Sequence, residues 1–338
     1  MNFITFSTGK DDIDRRIDKV IRIFVKNLPL SQIYKALRSG LIKVNNKKIK
    51  QDYHIVEGDK IQIADFLINQ NNENENSQNA INQNNSTNNL KTKSHNNFLN
   101  IKDIILFENE NFLILNKPSN INVHSSTKND LSLQIIVEQY VSSQKKEESL
   151  SFKTGPLHRL DRMTSGIIAF SKSTNGARWF SSQIAEHNIT KKYLALLQGK
   201  LQQAEEWTDF LVKENDKDEN YHTVKITDDE NAKECKTKVI PLKYGKYKND
   251  DVTLAEVYIF TGRQHQIRAQ CSKHGFPLLG DTAYNGKKLS DTPVFFLHAQ
   301  ELTIPQNDLG LPEKIQAPLP QNFSKFCIND CDIKFFDI

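Results

Sequence analysis

The sequence predicts an α+β protein in two folded parts joined by a polar tether, and three observations carry that reading. The strand candidates beyond residue 100 are separated by connections of mixed kind rather than by one helix each, which disfavours a doubly wound sheet. Asn fills 13 of the 29 positions 69–97, a stretch with too little apolar area to offset the entropy of ordering it. The part before it is basic. Residues 1–65 carry 13 Lys/Arg against 8 Asp/Glu, whereas the whole chain of 338 residues nets only +4. The expected organisation is a small α/β domain over 1–68, a disordered linker over 69–97 and a larger domain over 98–338.

In the small domain Ile17, Val20, Ile21, Phe24 and Val25 recur at helical spacing. Pro29 breaks that pattern, and Ser31 is the expected N-cap of a second helix carrying Ile33 and Leu37. Gly40 ends it in the left-handed position that favours glycine. Residues 41–44 then read as a strand, Asn45-Asn46 as a turn, and 61–63 as a strand after the turn Glu57-Gly58-Asp59. The basic excess calls for an anionic partner, although charge alone also fits a solvated face. Arg15, Arg16, Lys35, Arg38 and Lys43 are the candidate contacts.

In the larger domain the strand candidates are 112–115, 166–170, 193–197, 253–259 and 294–297. Helices are expected near 131–142, 174–187 and 264–274. No internal repeat is visible.

Several chemistries find no support. G-x-S-x-G and G-x-G-x-x-G are both absent, so neither the common hydrolase elbow nor a dinucleotide site is indicated. The segment Gly280–Lys288 only resembles a P-loop, having five residues between its glycines and Lys where a Ser or Thr must stand. Cys327 and Cys331 lack the second pair or His that zinc requires. No metal and no cofactor are expected. With no apolar leader and no run of 18 apolar residues, the reading is a cytoplasmic protein without membrane contact.

Three polar clusters remain, each next to a strand or helix. His158–Gly166 (HRLDRMTSG) directly precedes an apolar strand, the kind of rigid support on which sites are built. Thr261–Arg268 (TGRQHQIR) follows another strand and opens a helix, whose free N–H groups and two arginines would suit an anion. Lys191-Lys192-Tyr193 enters a third strand. Alone, the first two fit a capped turn or a capped surface helix equally well, and a lone Tyr193 more often packs in a core or interface.

In this order the clusters resemble the pseudouridine synthases of the large ribosomal subunit. The resemblance spans about residues 101–304 and includes Asn116-Lys117-Pro118 through His124, Pro277–Asp281 with Tyr284, and Leu297-His298-Ala299. Asn120 stands where the family usually has Gly, a position Asn can fill in the left-handed region. Met163 and Gln270 replace a common Asp and a common His. Residues 13–65 resemble the alpha-L motif, a small RNA-binding module first recognised in a small-subunit ribosomal protein.

The resemblance implies a mixed, largely antiparallel catalytic sheet and cofactor-free isomerisation of uridine in large-subunit ribosomal RNA by a monomer. It implies that Asp161 is the catalytic nucleophile or base, that Tyr193 stacks on the extruded base, and that Arg263 pairs with Asp161. Arg159 is the candidate for a phosphate or for the vacated stack, and Lys192 and Arg268 for backbone phosphates. The rival reading is a ribosome-associated RNA-binding protein that has kept the fold and lost turnover. A second rival, an RNA methyltransferase with the same N-terminal module, lacks its glycine-rich cofactor loop.

Overall fold

The computed structural model describes residues 1–25, 28–68, 99–125, 131–144, 149–214, 223–229, 231–289 and 294–334. The expected linker, 69–97, lies outside them. The chain divides into two compact units. One gathers residues 1–100, 139–154 and 173–175, and the other 101–138, 155–172 and 176–338.

The first unit is built from β1 (Phe3–Ser7), α1 (Ile17–Phe24), α2 (Leu30–Ser39), β2 (Ile42–Val44) and β3 (Lys60–Ala64). Its sheet has the order β1-β3-β2 with both pairings antiparallel. Ile17, Val20 and Ile21 of α1 share one face and meet Ile33 and Leu37 of α2 in a core completed by Ile61 and Ile63. Gly40 closes α2 at φ 80°, as its position in the sequence indicates. Ser31 is not the cap. Pro29, extended at ψ 149°, holds that place, and its carbonyl accepts the N–H groups of Gln32 and Ile33.

The second unit holds one sheet of eleven strands: β4 (Ile105–Glu108), β5 (Phe112–Lys117), β6 (Gly155–Pro156), β7 (Ser165–Ser171), β8 (Thr190–Gln198), β9 (Glu205–Lys213), β10 (Val224–Thr227), β11 (Lys233–Tyr247), β12 (Asp250–Ile259), β13 (Leu297–Thr303) and β14 (Lys314–Gln316). The main path runs β10-β9-β11-β12-β8-β13-β7-β5-β4, with β14 on β13 and β6 on β7. Among the described residues only β13–β7 is parallel. The fold is therefore α+β with a mixed, largely antiparallel sheet. Helices α3 (Leu133–Gln144), α4 (Thr174–Ala185), α5 (Gln266–Lys273) and α6 (Gln321–Cys331) complete the chain. The strand expected at 294–297 begins only at Leu297 and runs on to Thr303.

Strand β13 joins the two halves of the sheet and brings the sequence clusters together. Ala299 lies opposite Gly166 of β7 on one side and Tyr193 of β8 on the other. Gly166 has φ 108°, and a Cβ there would stand 2.2 Å from the Ala299 carbonyl oxygen. No other residue type fits so close an approach.

Two histidines of this unit, one fully buried and one half-buried, set an acid limit on stability. His298 is fully buried. Its Nδ1 lies 2.9 Å from Ser165 Oγ, and its Nε2 stands 3.2 Å from the Ala317 carbonyl. A carbonyl only accepts, so Nε2 carries the proton and Nδ1 accepts from the serine. His158 packs over Phe180 and accepts the Ala169 N–H on Nε2. Burial pushes the first imidazole down to about 4 and the second to about 3. Both folded values lie below the unfolded 6.5, so the unfolded chain binds the extra protons as pH falls. The stability is complete above pH 6.5 and is lost on acidification towards 4, by up to about 1.4 kcal/mol per pH unit for His298. Urea midpoints should change little from pH 7.5 to 6.5 and fall from there to pH 4.5. A His298→Asn variant should show the shallower slope.

Candidate active site

The first cluster forms a loop, 159–164, fixed by its neighbours on both sides. Lys117 at the end of β5 is fully buried, and its ammonium donates to the carbonyls of Pro118, Ile121 and Arg162 at 2.9–3.0 Å. Burial lowers its pKa to about 7, against the opposing pull of Asp161. Asn120 adopts φ 70°, the left-handed conformation expected of it. From there its N–H donates to the Arg162 carbonyl, and its side-chain oxygen accepts from Arg162 Nε. Ser119 Oγ donates to Met163 O at 2.7 Å. The loop carrying Asp161 is thereby tied to a buried strand end, which limits its side chain to a narrow range of aims.

Tyr193 is buried in the middle of β8 and lines the same cleft as Asp161, together with Arg159, Ile259, Arg263 and Leu297. Its hydroxyl makes no hydrogen bond among the described residues. Burial, and then the nearby Asp161, push the phenol far up, so it is neutral at physiological pH.

The arginine that meets Asp161 is Arg268 and not Arg263. Arg268 Nη1 stands 3.4 Å from Asp161 Oδ2, while its Nε and Nη2 form a fork on the buried Asp281 at 2.7 and 2.8 Å. The guanidinium is also held 4.7 Å from the ring centres of Tyr284 and Phe295. Arg263 donates from Nε to the Glu234 carbonyl at 3.0 Å, at the rim of the cleft. The reason is the start of α5. His265 is left-handed at φ 51° and the helix begins at Gln266, so Arg268 falls in the first helical turn and points inward.

At the start of α5 the first helical side chain closes the turn before it. Gln266 folds its own side chain back, and its Oε1 accepts from Thr261 Oγ1 and the Arg263 N–H. His265 stands beside the carboxylate, with Nε2 3.6 Å from Asp161 Oδ1.

Lys192 is not a free cation for phosphate either. Its ammonium lies 3.0 Å from Glu256 and 3.4 Å from Glu301. Its neighbour Lys191 opposes Ile259 in the sheet, on the Tyr193 face, and has no ion-pair partner among the described residues. Burial pulls Lys191 down to about 8. Arg159 is exposed at the cleft rim.

In the first unit Arg16 pairs with Asp18 at 2.7 Å and Arg15 donates to the Ser151 carbonyl. Both are thereby less available than the sequence suggested. Lys35 and Arg38 are exposed on α2. Lys43 sits 4.9 Å from the Phe3 ring centre.

The family model described as RNA pseudouridylate synthase matches residues 111–273. A protein named ribosomal large subunit pseudouridine synthase C from Buchnera aphidicola is 30% identical, with 94% of each chain covered. Its namesake from Escherichia coli is 27% identical over 93% of this chain and 92% of its own. Among solved structures, human RNA pseudouridylate synthase domain containing 1 aligns with a TM-score of 0.53 at 27% identity, covering 66% of this chain and 84% of that one.

Proposed function

Since the chain belongs to the RNA pseudouridylate synthase family, and so isomerises uridine in RNA, we propose that its substrate is large-subunit ribosomal RNA and that Asp161 performs the chemistry. The reaction breaks the C1′–N1 bond and joins C1′ to C5 of the same base. C5 loses its hydrogen to solvent and N1 gains one, so no electron or group donor is consumed.

The observation that carries the site assignment is the Asp161 carboxylate, 17% exposed at the floor of an open cleft with Arg268 at its back. An arginine behind the carboxylate holds one of its oxygens in place. The other oxygen is left to attack C1′ or to take a proton from C2′. Tyr193 gives the extruded base a flat neutral partner with its hydroxyl on the cleft wall. Arg159 at the rim and Lys191, which has no ion-pair partner among the described residues, take backbone phosphates. The support for the substrate is the likeness, along nearly the whole chain, to proteins named for the large ribosomal subunit.

The test is release of tritium from RNA labelled at uridine C5, comparing unmodified large-subunit rRNA with tRNA transcripts. The expected result is release from discrete sites of the rRNA. Release confined to tRNA would overturn the substrate assignment and leave the family membership standing.

Residues 1–68 are, in the same proposal, an RNA-binding domain, residues 69–97 a tether, and residues 98–338 the catalytic domain. Of its candidate contacts Lys35 and Arg38 are exposed and Lys43 is half-buried, and such contacts give salt-sensitive, sequence-independent affinity. Deleting residues 1–68 should weaken rRNA binding and flatten its salt dependence, while the saturated single-turnover rate changes by less than about threefold. An unchanged salt slope would show that the module is not an RNA anchor.

A further inference from the structure

The hydrogen bonds around His265 fix the place of one proton. Tyr284 is buried. Its hydroxyl oxygen accepts the Val224 N–H at 3.0 Å and lies 2.8 Å from His265 Nδ1. A backbone N–H can only donate, so the phenolic hydrogen needs an acceptor of its own. Nδ1 is the acceptor within reach. Were Nδ1 protonated instead, the phenolic hydrogen would have no partner among the described residues, and the bare Nε2 lone pair would face a carboxylate. Both are unfavourable in a buried site.

Nε2 therefore carries the proton and points at Asp161 Oδ1 across 3.6 Å. That is longer than a hydrogen bond, and a small approach closes it, as is common for sites that tighten around substrate. Burial lowers the imidazole pKa and Arg268 adds to this, against Asp161, so the ring is a neutral donor.

We propose that His265 is a positioning residue for the reaction, its Nε2–H set by Tyr284 and donated to Asp161 Oδ1 while Arg268 holds Oδ2. With Oδ2 held by Arg268 and one side of Oδ1 held by His265, the remaining lone pair of Oδ1 is the one left to react with the sugar of the extruded nucleotide. This rests on Asp161 as the reacting carboxylate. A failure of that reading would show separately, as turnover by Asp161→Asn.

The experiment joins a spectroscopic and a kinetic arm on the full chain. In protein labelled with 15N-histidine, the His265 signals are identified by their loss in His265→Gln. At pH 7.5 they should report a protonated Nε2 and an unprotonated Nδ1. Tyr284→Phe should move them towards a mixture of the two tautomers.

In single turnover at saturating rRNA, His265→Leu should slow the reaction roughly 10- to 100-fold, the worth of one hydrogen bond to a charged group, with RNA affinity unchanged. His265→Gln, whose amide N–H can reach the place of Nε2, should recover most of that loss. Leu and Gln fit φ 51° equally poorly, so backbone strain cancels between them. A ring protonated on Nδ1, or on both nitrogens, would overturn the proposal. So would a Leu variant at the wild-type rate, or Gln and Leu variants equally slow. If the Leu variant does not fold, the Tyr284→Phe spectrum decides: an unmoved tautomer contradicts the lock.

Discussion

Asp161→Asn is expected to fold, to bind rRNA with near wild-type affinity and to lose turnover by roughly 10⁴-fold or more, as removal of a reacting group does in other enzymes. Asparagine keeps the size of the side chain and one oxygen for Arg268 or His265. It has no charge with which to attack C1′ and no basicity with which to take a proton from C2′, so either chemical route stops. Folding should survive because Arg268 retains its fork on Asp281, which is the shorter and more deeply buried of its two pairs. The measurement is single-turnover tritium release, with binding followed in parallel. Weakened binding with residual turnover would mean that Asp161 holds RNA rather than reacts with it.

Arg268→Lys is expected to be the most damaging exchange between like charges in the protein. Lysine offers a point charge, whereas Arg268 directs a fork at Asp281 and a third nitrogen at Asp161. An ammonium in that slot satisfies one carboxylate and leaves the other poorly paired. Breaking a buried pair costs about 3–5 kcal/mol, and here the loss divides between stability and the aim of Asp161. The saturated rate should fall roughly 100-fold or more, on the scale of a removed charge-stabilising donor, and Tm should fall measurably. Arg263→Lys should lower the rate by less than about threefold, because Arg263 meets only a carbonyl at the rim. A larger loss at Arg263 than at Arg268 would restore the pairing that the sequence suggested.

That exchange of roles shows where sequence reading stops. The α+β class, the strands of the 112–117, 165–171, 190–198 and 250–259 segments, and the two helices followed by two strands of the first unit follow from apolar spacing and turn residues, whereas β1 (Phe3–Ser7) was not expected. Asp161 and Tyr193 are picked out by the family resemblance, since polar residues beside apolar strands alone fit a capped turn or a packed core residue as well. Which arginine turns inward depends on a single backbone feature, the left-handed His265, and His carries no strong signal for that conformation. Asp281 is thirteen residues beyond Arg268 and meets it only after a helix and a turn, so no spacing rule joins them. Lys191 and Lys192 are equivalent as letters. They differ because successive strand residues face opposite sides of the sheet, and Glu256 and Glu301 happen to wait on one of them. The strands 205–213 and 233–247 were not legible either. They are rich in Lys and Glu and half exposed along much of their length, so the alternation that marks a strand is blurred.

The central claim is that this chain converts uridine to pseudouridine in ribosomal RNA with no partner reagent. The most direct measurement is nucleotide-resolution mapping of pseudouridine in unmodified large-subunit rRNA, after incubation with the purified protein in buffer alone. New pseudouridines at a few discrete positions, absent with Asp161→Asn, are the predicted result. Either no pseudouridine at any position, or the same positions filled by the Asp161→Asn protein, would contradict the account.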